Sequence, residues 1–287
     1  MKQLKRITII GVGLIGGSIA LAAKKRGLAK EIIGVFRHRS TLRHALARKA
    51  VDQGVMSVAE GVREADLIIL ATPVGSIPGI AREALRYAKK GAIITDAGST
   101  KRWVVGEIEK MVTVKSGIFF VGSHPMAGSE HTGVEYAKSD LFEGSPCIVV
   151  KSSRTDRGAL RTVKEFWRAL GGRVEVMTPS GHDESIALIS HLPHLVAFSL
   201  AGTVPVKDLR YAAEGFKDTT RVASSDPELW AGIFLSNREK VLRAAHLFEK
   251  EYRQIMRALS RKNAGQLVKL LAAAKTRREH FIDLRYK

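Results

Sequence analysis

Short apolar runs punctuate the first part of the chain at Ile7–Ile10, Ile32–Phe36, Leu67–Ala71, Ala92–Thr95, Ile118–Val121, Cys147–Val150 and Arg173–Met177. Between most of them the apolar positions recur at helical spacing, as in Gly17–Arg26 and Arg157–Leu170. Apolar strands alternating with helices predict a parallel sheet with helices on both faces. The pattern changes near Thr178. From Pro179 to Lys287 no strand pattern appears, and helical spacing runs through Glu184–Gly202, Ser236–Leu259 and Asn263–Arg285. The expected organisation is therefore an α/β domain over residues 1–178 and an all-α domain over residues 179–287. The apolar positions Ile186, Ile189, Leu192, Leu195 and Val196 would leave much surface exposed on an isolated helical domain. They predict packing against the first domain and against a second subunit, giving a homodimer through the helical domains.

The first strand runs into "GVGLIGGS", which places Gly11, Gly13 and Gly16 between a strand and a helix. In that setting the spacing is specific for a Rossmann-like dinucleotide-binding domain. Gly11 permits the tight turn, Gly13 lets a pyrophosphate approach the backbone, and Gly16 lets helix and strand pack closely. Leu14 and Ile15 complete the loop, whose helix N-terminus offers N–H groups to phosphates. A site for NAD usually carries a carboxylate at the end of the second strand, for the ribose 2′-hydroxyl. Here "VFRHRS" supplies Arg37, His38, Arg39 and Ser40 instead, with Arg43 beyond. Cationic donors suit a 2′-phosphate, so NADP is the expected cofactor, with NAD as the other candidate.

Composition narrows the partners. The 287 residues are 45% hydrophobic and 26% charged, the balance of a globular protein rather than a disordered or fibrous one. A single cysteine, Cys147, allows no intramolecular disulfide and suits a reducing, cytoplasmic setting. No apolar run approaches the roughly 18 residues of a membrane span. The basic, apolar N-terminus invites a signal-peptide reading, but its glycines have their own explanation and no small-residue cleavage site stands out. The formal net charge is +19, which raises nucleic acid as a partner. The basic residues are spread along the chain without aromatic interleaving, so an anionic small molecule is expected instead.

Ligands of such sheets bind at the carboxyl ends of the strands. Those ends carry Thr72 and Pro73 in "LATPV", Asp96, Ser99 and Lys101 in "TDAGSTK", and His124 and Ser129 in "GSHPMAGSE". His124 is expected where the strand Ile118–Val121 stops at Gly122. In the helical part "SHLPH" sets His191 and His194 three residues apart, on one helical face interrupted by Pro193. Two histidines without a carboxylate or cysteine set make poor metal-ligand spacing, and no metal is expected. Arg221 lies in "GFKDTTRVASSDP", a polar stretch unlike the helices around it. A guanidinium there suits bidentate recognition of a carboxylate.

The motifs GLIGGS, DAGSTK, SHPMAGSE, HDESIALISHLPH and GFKDTTRVASSDP, in this order, resemble the prephenate/arogenate dehydrogenase family. The resemblance runs from about Ile7 to Trp230. It implies oxidative decarboxylation of prephenate, with hydride passing to a nicotinamide cofactor, in tyrosine biosynthesis. It implies His124 as the group bonded to the substrate C4 hydroxyl, Ser99 as its orienting partner and Arg221 on the ring carboxylate. His191 and His194 would line the substrate pocket and Trp230 would close its wall. Ser129 and Glu130 would lie where a partner subunit approaches, with Asp218 near a gate. The Arg37–Ser40 turn departs from many prephenate-specific members, whereas His194 is lacking in some arogenate-specific ones. His194 is weighted more, because it would face the substrate. The alternatives are an arogenate or dual-specificity cyclohexadienyl dehydrogenase and, further off, a non-catalytic NADP-sensing or nucleic-acid-binding protein. Hydroxy-acid dehydrogenases of similar layout use a lysine on the first long helix of the second domain, and Glu184–Gly202 contains none.

Overall fold

The computed structural model describes residues 2–112, 117–129 and 131–286, with side chains through residue 283. Glu130 lies outside the described residues. The chain forms two compact units, Met1–Arg238 and Glu239–Lys287.

The first unit opens with β1 (Leu4–Ile10), α1 (Leu14–Lys25), β2 (Ala29–Val35), α2 (Arg39–Ala47), β3 (Gln53–Val55) and α3 (Val58–Val62). It continues through β4 (Leu67–Leu70), α4 (Ile77–Tyr87), β5 (Ile93–Asp96), α5 (Arg102–Met111) and β6 (Phe119–Val121). These strands form one sheet in the order β3-β2-β1-β4-β5-β6, parallel throughout. Alternation decides its two faces. Ile7, Ile9, Leu67 and Ile69 enter one apolar cluster with α1, while Ile10, Ile68 and Leu70 enter another with α4 and α5. The polar Thr8 is buried on the second face because its hydroxyl donates to the Gly61 carbonyl at 2.6 Å.

A second sheet follows, which the apolar runs did not separate from the first. It comprises β7 (Ser123–Pro125), β8 (Pro146–Val150) and β9 (Arg173–Met177), with α6 (Arg157–Ala169) between the last two. β7 is antiparallel to β8, and β8 is parallel to β9. His124 is therefore not a loop residue at a strand end. The chain changes sheets at Gly122, and His124 lies inside a short strand opposite Ile148. A Cβ at Gly122 would come within 2.8 Å of Val150 and 3.0 Å of Val105, so the crossing requires glycine.

From Thr178 onward the described residues contain no strand. α7 (Pro179–Ile186) passes through a π-helical turn (Ala187–His191) into α8 (Leu192–Thr203), followed by α9 (Glu214–Thr220) and α10 (Pro227–Ser236). The continuous helix Pro179–Thr203 corrects the reading that no segment reaches membrane-span size. Its 25 residues include an 18-residue stretch of mean hydropathy 1.4, of which 22% is buried. The stretch escaped a search for unbroken apolar runs because its serines and histidines interrupt the run without adding full charges. Apolar exposure is concentrated at Leu188 and Ile189, while Ile186 and Ala187 are buried.

The second unit is a helical pair, α11 (Arg238–Ser260) and α12 (Ala264–Tyr286). Lys262 turns the chain at a φ of 52°, and the Asn263 side chain accepts from Gln266 N at 2.9 Å to cap α12. Leu247, Phe248, Tyr252, Met256 and Leu259 stand exposed along α11.

Candidate active site

The site is one cavity of about 550 Å³ within the first unit. Its floor is the carboxyl end of the parallel sheet. Gly13, Leu14 and Ile15 line it from the β1–α1 loop, Thr72 and Pro73 from the end of β4, and Ser99 from the loop after β5. His124 and Ser129 enter from β7 and the segment beyond it, and His194, Arg221 and Trp230 from the helical part.

The three loop glycines differ in the room around them. Gly11 has a φ of +91°, and a Cβ there would meet the Ala71 carbonyl at 2.8 Å. At Gly16 a Cβ would lie 2.1 Å from the Gly11 carbonyl oxygen, so α1 approaches β1 closely only without one. Around Gly13 nothing lies within 4 Å of a Cβ position. Gly13 also caps α1 without a side-chain hydrogen bond, and the first turn carries no acidic residue. An open helix N-terminus beside a cavity is the environment a pyrophosphate requires, so these residues fit a dinucleotide. Arg37, His38, Arg39 and Ser40 stand exposed after β2, outside the cavity lining. Gly11 and Gly16 shape the loop without lining the cavity.

His124 reaches the cavity through strand alternation. Its neighbour Ser123, paired with Val149, faces the other side, where the Trp167 indole N–H donates to the Ser123 hydroxyl at 2.9 Å. The β5–α5 turn fixes this register. Asp96 Oδ1 accepts from Ser123 N at 3.1 Å and Oδ2 from Gly98 N at 2.9 Å. Oδ2 also receives the Lys101 ammonium, and both side chains of that ion pair are fully buried. The expectation that Asp96 and Lys101 face the cleft is thus corrected. They lie beneath it, and among the motif's polar side chains Ser99 is the one that lines the cavity.

Behind His124 stand two residues that sequence reasoning passed over. His124 Nδ1 lies 2.9 Å from His182 Nε2, and His182 Nδ1 lies 2.7 Å from Asp183 Oδ1. Asp183 also accepts from Lys101 N at 2.7 Å and Arg102 N at 2.9 Å, at the start of α5. All three side chains are buried. Burial holds the His124 imidazole well below its ordinary pKa, helped by the charges of His182, Lys101 and His191. Burial also lowers His182, with the Asp183 carboxylate partly opposing it.

The two histidines of "SHLPH" separate. His194 lines the cavity, where its ring stacks on Trp230 at a centroid distance of 3.5 Å and its Nδ1 lies 2.9 Å from the Ser190 carbonyl. Burial, and then the nearby Arg221, lower its pKa. His191 does not line the cavity. It is 1% exposed, packs edge-on to Trp230 at 6.0 Å, and takes the Asn237 amide at 3.3 Å on Nδ1. Burial brings its pKa down to about 4. The helical-face argument failed because the π-helical turn ends at His191 and α8 starts at Leu192, so the pair does not share one regular helix. Arg221 opens a short 3₁₀ turn after α9 and lines the cavity while remaining exposed. Asp218 is exposed on α9, away from the lining. Among the described residues no group of three or more His, Cys, Asp and Glu is placed to hold a metal ion.

Comparison with known proteins bears on this arrangement. Residues 19–176 match the family model described as prephenate dehydrogenase, nucleotide-binding domain, and residues 178–273 match prephenate dehydrogenase, dimerization domain. The prephenate dehydrogenase of Bacillus subtilis is 36% identical, covering 97% of this chain and 77% of that protein. The cyclohexadienyl dehydrogenase of Zymomonas mobilis is 32% identical over 93% of each chain. The crystal structure of prephenate dehydrogenase from A. aeolicus with hydroxyphenyl propionate and NAD+ superposes with a TM-score of 0.89. It is 34% identical and covers 97% of this chain and 99% of that one. The chain belongs to the prephenate dehydrogenase family.

Proposed function

We propose, from that membership, that the chain oxidatively decarboxylates prephenate to 4-hydroxyphenylpyruvate in tyrosine biosynthesis, with NAD(P)+ as hydride acceptor. The observation that carries the reading is His124. It is a buried imidazole held neutral at physiological pH, with one ring nitrogen bonded to His182, in the same cavity as an open glycine loop. NAD(P)+, when bound, supplies the acceptor for the hydride that leaves C4. The protein's own task is to take and return a proton. The nitrogen of His124 not engaged by His182 accepts the C4 hydroxyl proton as the C4–H bond breaks. Loss of carbon dioxide from C1 then leaves its electron pair in the ring, which becomes aromatic. The phenolate oxygen recovers the proton from His124.

In this reading Ser99 orients the C4 hydroxyl toward His124. Arg221 holds the ring carboxylate, and its contribution is positioning, because a carboxylate bound too tightly would not depart. His194 and Trp230 form the wall around the side chain of the substrate. His191 supports Trp230 from behind rather than meeting the substrate. Ser129 stands exposed at the rim, where a partner subunit would approach. Gly11, Gly13, Leu14, Ile15, Gly16, Thr72 and Pro73 hold the dinucleotide. Arg37, His38, Arg39 and Ser40 present cationic and hydroxyl donors to a 2′-phosphate, so NADP is preferred to NAD. The working division is a dinucleotide-binding domain over residues 1–178 and a substrate and dimerisation domain over residues 179–287. The exposed apolar side chains of α11 and the match to a dimerization-domain model support a homodimer. The lone buried Cys147 suits a cytoplasmic enzyme.

A second reading is arogenate or dual specificity, which the Arg37 turn and the likeness to a cyclohexadienyl dehydrogenase support. A four-way absorbance assay at 340 nm tests both, with prephenate or arogenate and NADP or NAD. Turnover of prephenate with NADP is expected. Turnover of arogenate alone would overturn the substrate assignment, and silence in all four would overturn the family activity for this chain.

A further inference from the structure

We propose that the buried pair His182–Asp183 is a positioning device that holds His124 in its Nδ1–H tautomer, leaving Nε2 as the sole acceptor toward the cavity. This rests on the reading of His124 as the proton acceptor. The assignment begins at Asp183. Both of its oxygens meet backbone N–H groups, Lys101 N on Oδ1 and Arg102 N on Oδ2, and backbone N–H groups can only donate. Asp183 thus meets its neighbours as an acceptor, and the nitrogen 2.7 Å from Oδ1 is His182 Nδ1–H. A neutral imidazole carries one N–H, so His182 Nε2 is a lone pair. The atom 2.9 Å from it is His124 Nδ1, which must carry the hydrogen. That leaves His124 Nε2 with a lone pair. The order of donors follows from one carboxylate and two distances.

The same chain serves after the proton has moved. When Nε2 takes the hydroxyl proton, His124 becomes an imidazolium in a buried setting. Lys101 and His191 face it with positive or neutral character, and the Asp96 carboxylate is already engaged by Lys101. Asp183 is the nearest carboxylate reached through a hydrogen bond from the ring, by way of His182. Its attraction offsets the new charge without the proton leaving His124. In hydrolases with a Ser-His-Asp triad, a carboxylate touches the catalytic histidine directly. Here a second histidine, His182, stands between; it is 58 residues from His124 in sequence and is followed directly by Asp183 on α7. Asp183 also caps α5, which follows the Ser99 loop, so the same carboxylate ties the histidine to the loop carrying its proposed partner.

The test is the tautomer itself, read from imidazole ¹⁵N shifts of the resting holoenzyme between about pH 6.5 and 9. The wild type is expected to show His124 as Nδ1–H, and an Nε2–H signal would overturn the proposal whatever the variants do. His182→Leu is expected to lose the Nδ1–H preference and to lower kcat by about 10²-fold, with KM changed less than about threefold, as for loss of an oriented general base. His182→Gln, whose amide oxygen can accept from Nδ1–H, is expected to restore the tautomer and most of kcat. A His182→Leu enzyme that keeps both the Nδ1–H tautomer and wild-type kcat would reduce His182 to packing. If that variant does not fold, the wild-type spectrum and His182→Gln decide alone. A wild type that binds NAD(P)+ but turns over neither prephenate nor arogenate would overturn the reading of His124 as catalytic, while the ¹⁵N shifts would still judge the pair.

Discussion

The two ends of the cavity are built by opposite means. At the glycine loop the lining is backbone and open space. Gly13 has no neighbour where a side chain would stand, and the cationic turn Arg37–Ser40 is exposed. At the histidine end it is buried side chains. His124, His182 and Asp183 form one hydrogen-bonded chain, and Asp96 and Lys101 form an ion pair beneath it. A backbone site can be written locally, because strand, turn and helix suffice to make it. A buried polar site cannot, because each polar group removed from water needs a partner brought by the fold. The exposed turn Arg37–Ser40 should therefore tolerate change with modest effects on binding. The buried end should fail in catalysis and in stability.

The most severe test is His124→Asn, expected to lower kcat by about 10²–10⁴-fold with a modest change in KM. Wild-type kcat in this variant would remove the proposed acceptor. Next is Lys101→Met, which leaves Asp96 buried without its cation and should cost about 3–5 kcal/mol in urea unfolding. A loss below about 1 kcal/mol would contradict the burial of an uncompensated Asp96 carboxylate in the variant. The third concerns pH. Burial holds folded His191 at about 4, below the ordinary 6.5. Between those values the unfolded chain binds a proton that the folded chain does not, so stability rises with pH through that window. The contribution is complete above pH 6.5 and is lost toward pH 4. His124 and His182 shift the same way. His191→Gln should flatten the profile by up to roughly 3 kcal/mol, and an unchanged slope would contradict this account.

Arg221→Ala should then raise KM for prephenate about 10–100-fold, the worth of a charged hydrogen bond, with kcat less affected. An unchanged KM would take Arg221 out of the substrate site. The smallest effect is expected at the open end. Replacing Arg37 and Arg39 together by Ala should reduce the preference for NADP over NAD by about tenfold and leave kcat nearly unchanged. Equal loss with both cofactors would show that the turn supports the fold rather than the 2′-phosphate.

Much of this architecture is legible along the chain. Short apolar runs buried on both faces mark β1, β4 and β8, and helical spacing marks α1 and α6, whose apolar stripes join the core. β3 and β7 escaped notice, being three residues each and lacking an apolar run. The SHPMAGSE and HDES motifs display His124, His182 and Asp183 in plain sight, yet nothing local says that they touch. His182 reads as an unremarkable residue in the first turns of a short helix, adjacent to an acidic neighbour.

What the sequence determined by itself is the local part. The glycine loop, the alternation of strands and helices, and the chemistry available at the strand ends are properties of short segments. They depend on backbone freedom and on periodicity, which neighbours in the chain supply. What only the tertiary structure decided is which polar groups face one another. The change of sheets at Gly122 turns His124 toward α7 and Ser123 toward Trp167. The π-helical turn sends His191 into the interior and His194 into the cavity. Asp96 and Lys101, five residues apart in a motif that reads as a binding loop, close on each other beneath the site. Buried hydrogen bonds between groups far apart in sequence carry no local signature, because the desolvation that makes them necessary exists only once the chain has folded.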